Sequence, residues 1–76
     1  MVTAYVMVKA NTSDVKQLRD TIRDSGAVDS CHIVAGDVDL IGKLRADDPD
    51  GVLDVVGDQI LALDGVEDTQ TYLAME

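Results

Sequence analysis

The sequence has a single cysteine, a single proline, no tryptophan, no phenylalanine and two tyrosines in 76 residues. One cysteine excludes an internal disulfide framework, and the absence of CxxC or HxxxH spacing removes the usual structural zinc sites. A chain this short buries only about 60% of the surface it exposes when unfolded, so its own core is marginal. With neither disulfide nor metal staple indicated, self-association is the expected source of further stability. Apolar runs are only a few residues long, which excludes a membrane-spanning helix. The start MVTAYVMVKA lacks the flanks of a signal peptide, and the chain is expected to be cytoplasmic.

Positive charge is also scarce. Six Lys and Arg face fifteen acidic residues, thirteen of them Asp, for a net charge of −9. The basic residues are scattered, so the sequence offers no stripe to neutralise phosphates, and neither direct nucleic-acid binding nor attachment to anionic membranes is expected. Acidic residues spread along the whole chain are also compatible with a high-salt cytoplasm, where screening removes self-repulsion.

What is present is a regular alternation of element types. TAYVMVKA sets Ala4, Val6 and Val8 against Tyr5, Met7 and Lys9, the period of a strand. NTSD follows as a helix start, with Thr12 or Ser13 as the expected cap, and Val15, Leu18 and Ile22 at helical spacing. Gly26 is placed to end this helix in the left-handed conformation. AVDSCHIV and DLIGKLRA read as two strands of a hairpin, with Asp37 and Val38 at its tip and Gly36 expected at positive φ. DDPDG marks a second helix start, Asp48 as cap and Pro49 at the first helical position. Val52, Val56, Ile60 and Leu63 form its apolar face, Gly65 closes it, and VEDTQTYLAM returns as a strand.

The order is βαββαβ, predicting an α+β, ferredoxin-like split βαβ fold over residues 1–76: a four-stranded antiparallel sheet with two helices on one face. The other face is then open. It should carry Tyr5, Met7, Ile41 and part of the last strand, where Thr69, Thr71, Leu73 and Met75 alternate with Gln70, Tyr72 and Ala74. That mixture predicts a homodimer through the open sheet face.

Signals for catalysis are weak. Cys31 and His32 are neighbours in a strand, so they point to opposite faces and cannot act together on one metal or one substrate. No nucleophile elbow and no second histidine are present, and the chain is not expected to be an enzyme or to hold a cofactor or metal. Asp39 is different, because an acidic residue at the head of a strand needs a partner if an interface covers it. Thr69 and Thr71 lie two apart, placing their hydroxyls on one strand face. Together with the amides of the turn at Gly36, this set suits an α-amino acid: the carboxylate of Asp39 for the ammonium, hydroxyls and amides for the carboxylate. Plain turn and strand chemistry accounts for the same residues, and that alternative stays open here.

Over essentially its whole length the sequence resembles the effector-binding (RAM) domain of the Lrp/AsnC, or feast/famine, family of transcription regulators. The resemblance runs through AYVMVKA, the helix ending at SGAV, the G-x-x-D turn GDVD, ADDPDGVLDVV and the terminal GVEDTQTYLAM. It implies dimers joined through their sheets, assembly of dimers into octameric rings, and small effectors, mostly amino acids, held between dimers near the turn and the last-strand threonines. Carried onto this sequence, those positions are Gly36, Asp39, Thr69 and Thr71. Full-length relatives carry an N-terminal helix-turn-helix before the first strand of this domain, so the resemblance implies a stand-alone version that does not bind DNA itself but can co-assemble with full-length regulators. Relatives often place an aromatic where this chain has Val38, which leaves the identity of the effector open. The negative surface favours neutral or basic amino acids over Glu or Asp. Two rival readings are an assembly module without ligand and a small dimeric α/β-barrel enzyme; an ACT-like amino-acid domain is close in logic and differs chiefly in oligomer geometry.

Overall fold

A computed structural model describes residues 1–75. The elements are β1 (Val2–Ala10), α1 (Val15–Asp24), β2 (Ser30–Ile33), β3 (Leu40–Ala46), α2 (Pro49–Val55), which runs on as a π-helical turn over Val56–Ile60, and β4 (Val66–Leu73). The four strands form one antiparallel sheet in the order β2-β3-β1-β4, and both helices pack on the same face, as the βαββαβ order predicts.

Local chemistry sets the helix ends. At α1 the cap is Asp14 rather than Thr12 or Ser13: its carboxylate accepts from Gln17 N at 3.1 Å. Thr12 acts one step earlier, its hydroxyl accepting from Asp14 N and holding the cap residue in place. Asp48 caps α2 as expected, accepting from Gly51 N at 2.8 Å, with Pro49 at the first position. Gly26 and Gly65, at φ +74° and +94°, end the two helical segments in the left-handed region.

The π-helical turn has a reason in the sequence. A repeat of four, Val52-Val56-Ile60, drifts about 40° around an α-helix at each step. The wider turn, closed by Leu61 N donating to Val56 O at 2.8 Å, turns the stripe back, so that all three side chains are buried.

The core lies between sheet and helices. Ala4, Val6 and Val8 of β1, Cys31 of β2, and Leu40 and Leu44 of β3 meet Leu18 and Ile22 of α1 and Val52, Val56 and Ile60. Cys31 is fully buried and His32 is exposed, so the adjacent pair does separate across the sheet. Burial pushes the Cys31 thiol up from its ordinary value, against a smaller opposing effect of Arg23 and Arg19. Arg23 also donates from Nε to the Cys31 carbonyl at 2.9 Å, tying α1 to edge strand β2.

The open face is now defined by register. Tyr5 stands between Lys43 and Tyr72, and Met7 between Ile41 and Gln70. Directly paired residues share a face, so Thr69, Thr71 and Leu73, which pair with Val8, Val6 and Ala4, belong to the helix side. Strand β4 ends at Leu73, two residues short of Met75. Lys9, Lys43 and Arg45, half of the six basic residues, lie on the open side of their strands.

Candidate functional site: the turn before β3 and the strand beyond it

The β2–β3 connection spans residues 34–39 and is closed at its base by Val34 N donating to Asp39 O at 2.9 Å. Gly36 has no positive φ, contrary to the expectation from a tight hairpin turn. Six residues give the loop enough length to reverse without a left-handed position. A Cβ built on Gly36 meets nothing within 4 Å, so the glycine is required neither by its backbone nor by its neighbours in the protomer.

Asp39 binds β1 twice. Its main-chain N donates to Val8 O at 3.0 Å, and its carboxylate Oδ2 accepts from Ala10 N at 2.8 Å. The β1–β3 ladder ends at the Val8–Leu40 pair, so the N–H of Ala10 has no strand partner on that side. The Asp39 side chain supplies one, in effect adding a rung to the ladder.

On the other side of β1 the register with β4 shifts. Lys9 pairs with Asp68 and Ala10 with Val66, leaving Glu67 as the extra residue of a bulge. An extra residue inverts the alternation. Val66 packs against the core, and beyond the bulge it is the odd-numbered Thr69 and Thr71 that share its face.

These constraints place the four sequence-derived residues separately. Asp39 and Thr69 flank Val8 on opposite sides of β1, roughly 10 Å apart at two strand spacings, with the Val8 backbone between them. Thr71 lies one helix-side position further along β4, opposite Val6. Gly36 is in the loop. Only Thr69 of the four lines a cleft here.

That cleft, about 270 Å³, opens where the loop tip leans toward β4. Met7 and Lys9 come from β1, Asp37 and Val38 from the loop, and Asp68, Thr69 and Gln70 from β4. The lining combines an ammonium, two carboxylates, an amide and two apolar side chains, whereas the Thr69 side chain belongs to the helix side of β4. Lys9 makes a loose ion pair with Glu67, 3.8 Å apart, with both side chains more than half exposed. Asp68 accepts from Thr69 N at 2.9 Å through one oxygen. Asp37 makes no hydrogen bond or ion pair among the described residues. Sequence reasoning singled out the turn and Thr69 but missed Lys9 and Gln70. Alternation already set Lys9 beside Met7, but the bulge that brings Asp68 opposite Lys9 has no local sequence signal.

A larger cleft of about 440 Å³ lies between the start of α1 and the turn before β4. Three of its polar side chains are already engaged, Asp14 and Thr12 in capping and the Thr21 hydroxyl in donating to Gln17 O, while Gln17 and Asp64 also line it. The smaller cleft combines a cation with carboxylates and adjoins the turn and Thr69, and is the better candidate.

A βαββαβ domain with an open sheet is a fold that hosts many functions, so the sequence decides the class. The sequence matches the family described as Lrp/AsnC ligand binding domain over residues 3–76, and the chain belongs to that family. The leucine-responsive regulatory protein of Escherichia coli K12 is 31% identical over the whole of this chain, which spans 47% of that relative's length. The chain thus covers about half of the curated relatives it matches. Among solved structures, TTHA0845 from Thermus thermophilus is similar with a TM-score of 0.91 and 36% identity, over 100% of this chain and 95% of that one. The transcriptional regulator NMB0573 of Neisseria meningitidis, in complex with L-Met, shares the fold with a TM-score of 0.86 and 22% identity, over 99% of this chain and 50% of its own.

Among the described residues, no helix is long and apolar enough to cross a membrane.

Proposed function

We propose that this chain is an amino-acid-sensing domain that reports through its state of assembly. The cleft between the 34–39 loop and β4 carries the reading, because it sets a loosely paired cation and an unengaged carboxylate beside apolar side chains at the edge of the open sheet face. Two such sheets face to face form the dimer, burying Tyr5, Met7, Ile41 and Tyr72, and the basic residues on that side relieve the repulsion between two acidic protomers. Dimers then assemble into a ring, an octamer in this proposal, with the loops and β4 strands of adjacent dimers completing each effector site. Gly36 leaves room for that approach, Asp39 holds the loop, and Thr69 and Thr71 contribute from β4. The regulator from N. meningitidis that binds L-Met supports an amino acid as effector.

An effector can shift assembly only by binding one oligomer better than another. The sensor acts on transcription through full-length Lrp-type regulators that it joins, without touching DNA itself. The relatives named above are regulators, which supports a non-enzymatic role.

Light scattering after size exclusion, with and without pools of the twenty amino acids, tests this. A pool that changes the mass or the melting temperature supports the sensor. An oligomer that no pool alters overturns it in favour of a ligand-free assembly module, a reading favoured by the engagement of the Asp39 carboxylate within the fold.

A further inference from the structure

The charge of the chain is divided unevenly along its length. Residues 1–45 hold six acidic and six basic side chains, and residues 46–76 hold nine acidic and no basic one, so the whole net charge of −9 belongs to the second stretch. Helix α2 and its π-helical turn lie in that stretch. They pack on the helix side of the sheet, so a dimer through the open face leaves their outer surface free.

Three rows of side chains run along this segment. Val52, Val56 and Ile60 are buried. One residue on, Leu53, Gly57 and Leu61 are all exposed, and the π-helical turn that keeps the first row in line keeps this one in line as well. One residue further lie Asp54 and Asp58, exposed and without a hydrogen bond or ion pair among the described residues. Leu53 is 65% exposed, more than any other large apolar side chain away from the chain ends among the described residues, and Leu61 is 46% exposed.

Each feature of this face works against the isolated protomer. Glycine is a poorer helix residue than alanine, yet a Cβ on Gly57 meets nothing within 4 Å, so packing does not require it. Like charges four residues apart, as at Asp54 and Asp58, repel along a helix, and no basic residue stands in either last turn to offset the dipole. A single exposed leucine needs no explanation. Two leucines roughly 12 Å apart at helical rise, with a dispensable glycine between them, form a shallow apolar seat edged by carboxylates. Local choices that oppose the fold without a gain inside it point to a functional surface.

We propose that this face of α2 and its π-helical turn docks a cationic amphipathic helix of another protein. An apolar side chain of the partner rests over Gly57 between Leu53 and Leu61, and its Lys or Arg side chains, one turn apart, meet Asp54 and Asp58. Charge decides the occupant. A second copy laid on the same face would set Asp54 and Asp58 against their equivalents, and an anionic membrane would be repelled by the whole stretch. Helix α1 of a second copy carries basic residues, but Arg19 is paired with Asp20, Arg23 is bonded to the Cys31 carbonyl, and that helix exposes no large apolar side chain. The docking face lies apart from the effector cleft and does not depend on the sensor reading.

The probe is a synthetic helix-forming peptide of about 18 residues, a Leu row flanked by Lys, long enough to span both leucines. It is titrated against the full chain by fluorescence anisotropy, beside a scrambled peptide of the same composition and a charge-reversed one with Glu for Lys. The amphipathic Lys peptide should bind at least about 10-fold more tightly than the scrambled one, and the charge-reversed peptide should not bind. Leu53→Ser and Leu61→Ser should each weaken it about 10-fold without lowering the melting temperature. Asp54→Asn combined with Asp58→Asn should weaken it and flatten its salt dependence. Gly57→Gln separates docking from packing: it should raise the melting temperature, as a better helix former, while weakening the peptide by obstructing the seat. Equal binding of the scrambled peptide, or binding indifferent to Leu53→Ser and Gly57→Gln, would reduce the attraction to net charge and overturn the docking face. A smaller mass for Leu53→Ser in sedimentation would also overturn it, because the face would then belong to self-association.

Discussion

The carboxylate of Asp39 accepts a hydrogen bond from the main-chain N–H of Ala10 at 2.8 Å, across the point where strand pairing between β1 and β3 has ended. The aspartate of the G-x-x-D turn is thereby a clasp between loop and sheet. An acidic residue that looked free to meet a ligand already has a backbone partner.

Replacing Asp39 by Ala leaves the Ala10 N–H to water and frees the loop at one end, and should cost about 1–2 kcal/mol. Asn keeps an acceptor in the same place and should recover more than half of that loss. Urea unfolding of the two variants checks this. In effector binding, retention by Asp39→Asn and loss by Asp39→Ala would mark a positioning role, whereas equal loss in both would mark direct contact with an ammonium.

Two glycines should respond in opposite ways. Gly65 has φ +94° and the Thr12 methyl at 3.2 Å from where a Cβ would stand, so Gly65→Ala combines backbone strain with a tight contact and should cost about 1–2 kcal/mol or more. Gly36 has neither constraint, and Gly36→Ala should stay within about 0.5 kcal/mol of wild type. If that silent substitution nevertheless weakens effector binding or ring assembly, the space at Gly36 belongs to a ligand or to a neighbouring subunit.

The buried Cys31 thiol gives a pH dependence. Burial raises its folded-state value above the 9.0 of an exposed thiol, so the unfolded chain ionises first and the thiol's contribution to stability is lost as pH rises beyond 9.0. Unfolding free energy measured from pH 7 to about 10.5 should fall more steeply for wild type than for Cys31→Ala. Parallel curves would show that the thiol makes no difference. In the native state at pH 8, labelling of Cys31 by a thiol reagent should be limited by unfolding.

The open sheet face should be the dimer interface. Tyr5→Glu places a charge in the middle of β1 on that face and should convert the dimer to a monomer in sedimentation, with a lower melting temperature that depends less on protein concentration. An unchanged mass would move the interface elsewhere.

A net charge of −9 on 76 residues also predicts a salt response. Melting temperature should rise with added KCl as self-repulsion is screened. A continued rise into the molar range would fit a chain adapted to a salty cytoplasm; a plateau below about 0.5 M would fit ordinary screening of an acidic protein.

Much of the molecule follows from short-range rules that the sequence states directly. The alternation of Ala4, Val6 and Val8, the helical spacing of Leu18 and Ile22, the Asp48-Pro49 start and the glycines at 26 and 65 each act within a few residues, and together they order βαββαβ. Even the separation of Cys31 from His32 needed only the period of a strand. The cap of α1 was expected at Thr12 or Ser13, and the structure puts it one residue on, at Asp14. What the tertiary structure alone decided are the relations between strands. The bulge at Glu67 inverts the alternation of β4 and sends Thr69 and Thr71 to the helix side, because register is set by pairing with β1 and one extra residue flips every side chain after it. The same holds for Asp39, which finds its partner 29 residues away, and for Lys9 and Asp37, which face one cleft only because loop, β1 and β4 meet there. Local propensity cannot encode such meetings. They arise when the chain gives up loop-closure entropy to bring distant backbone groups into one sheet.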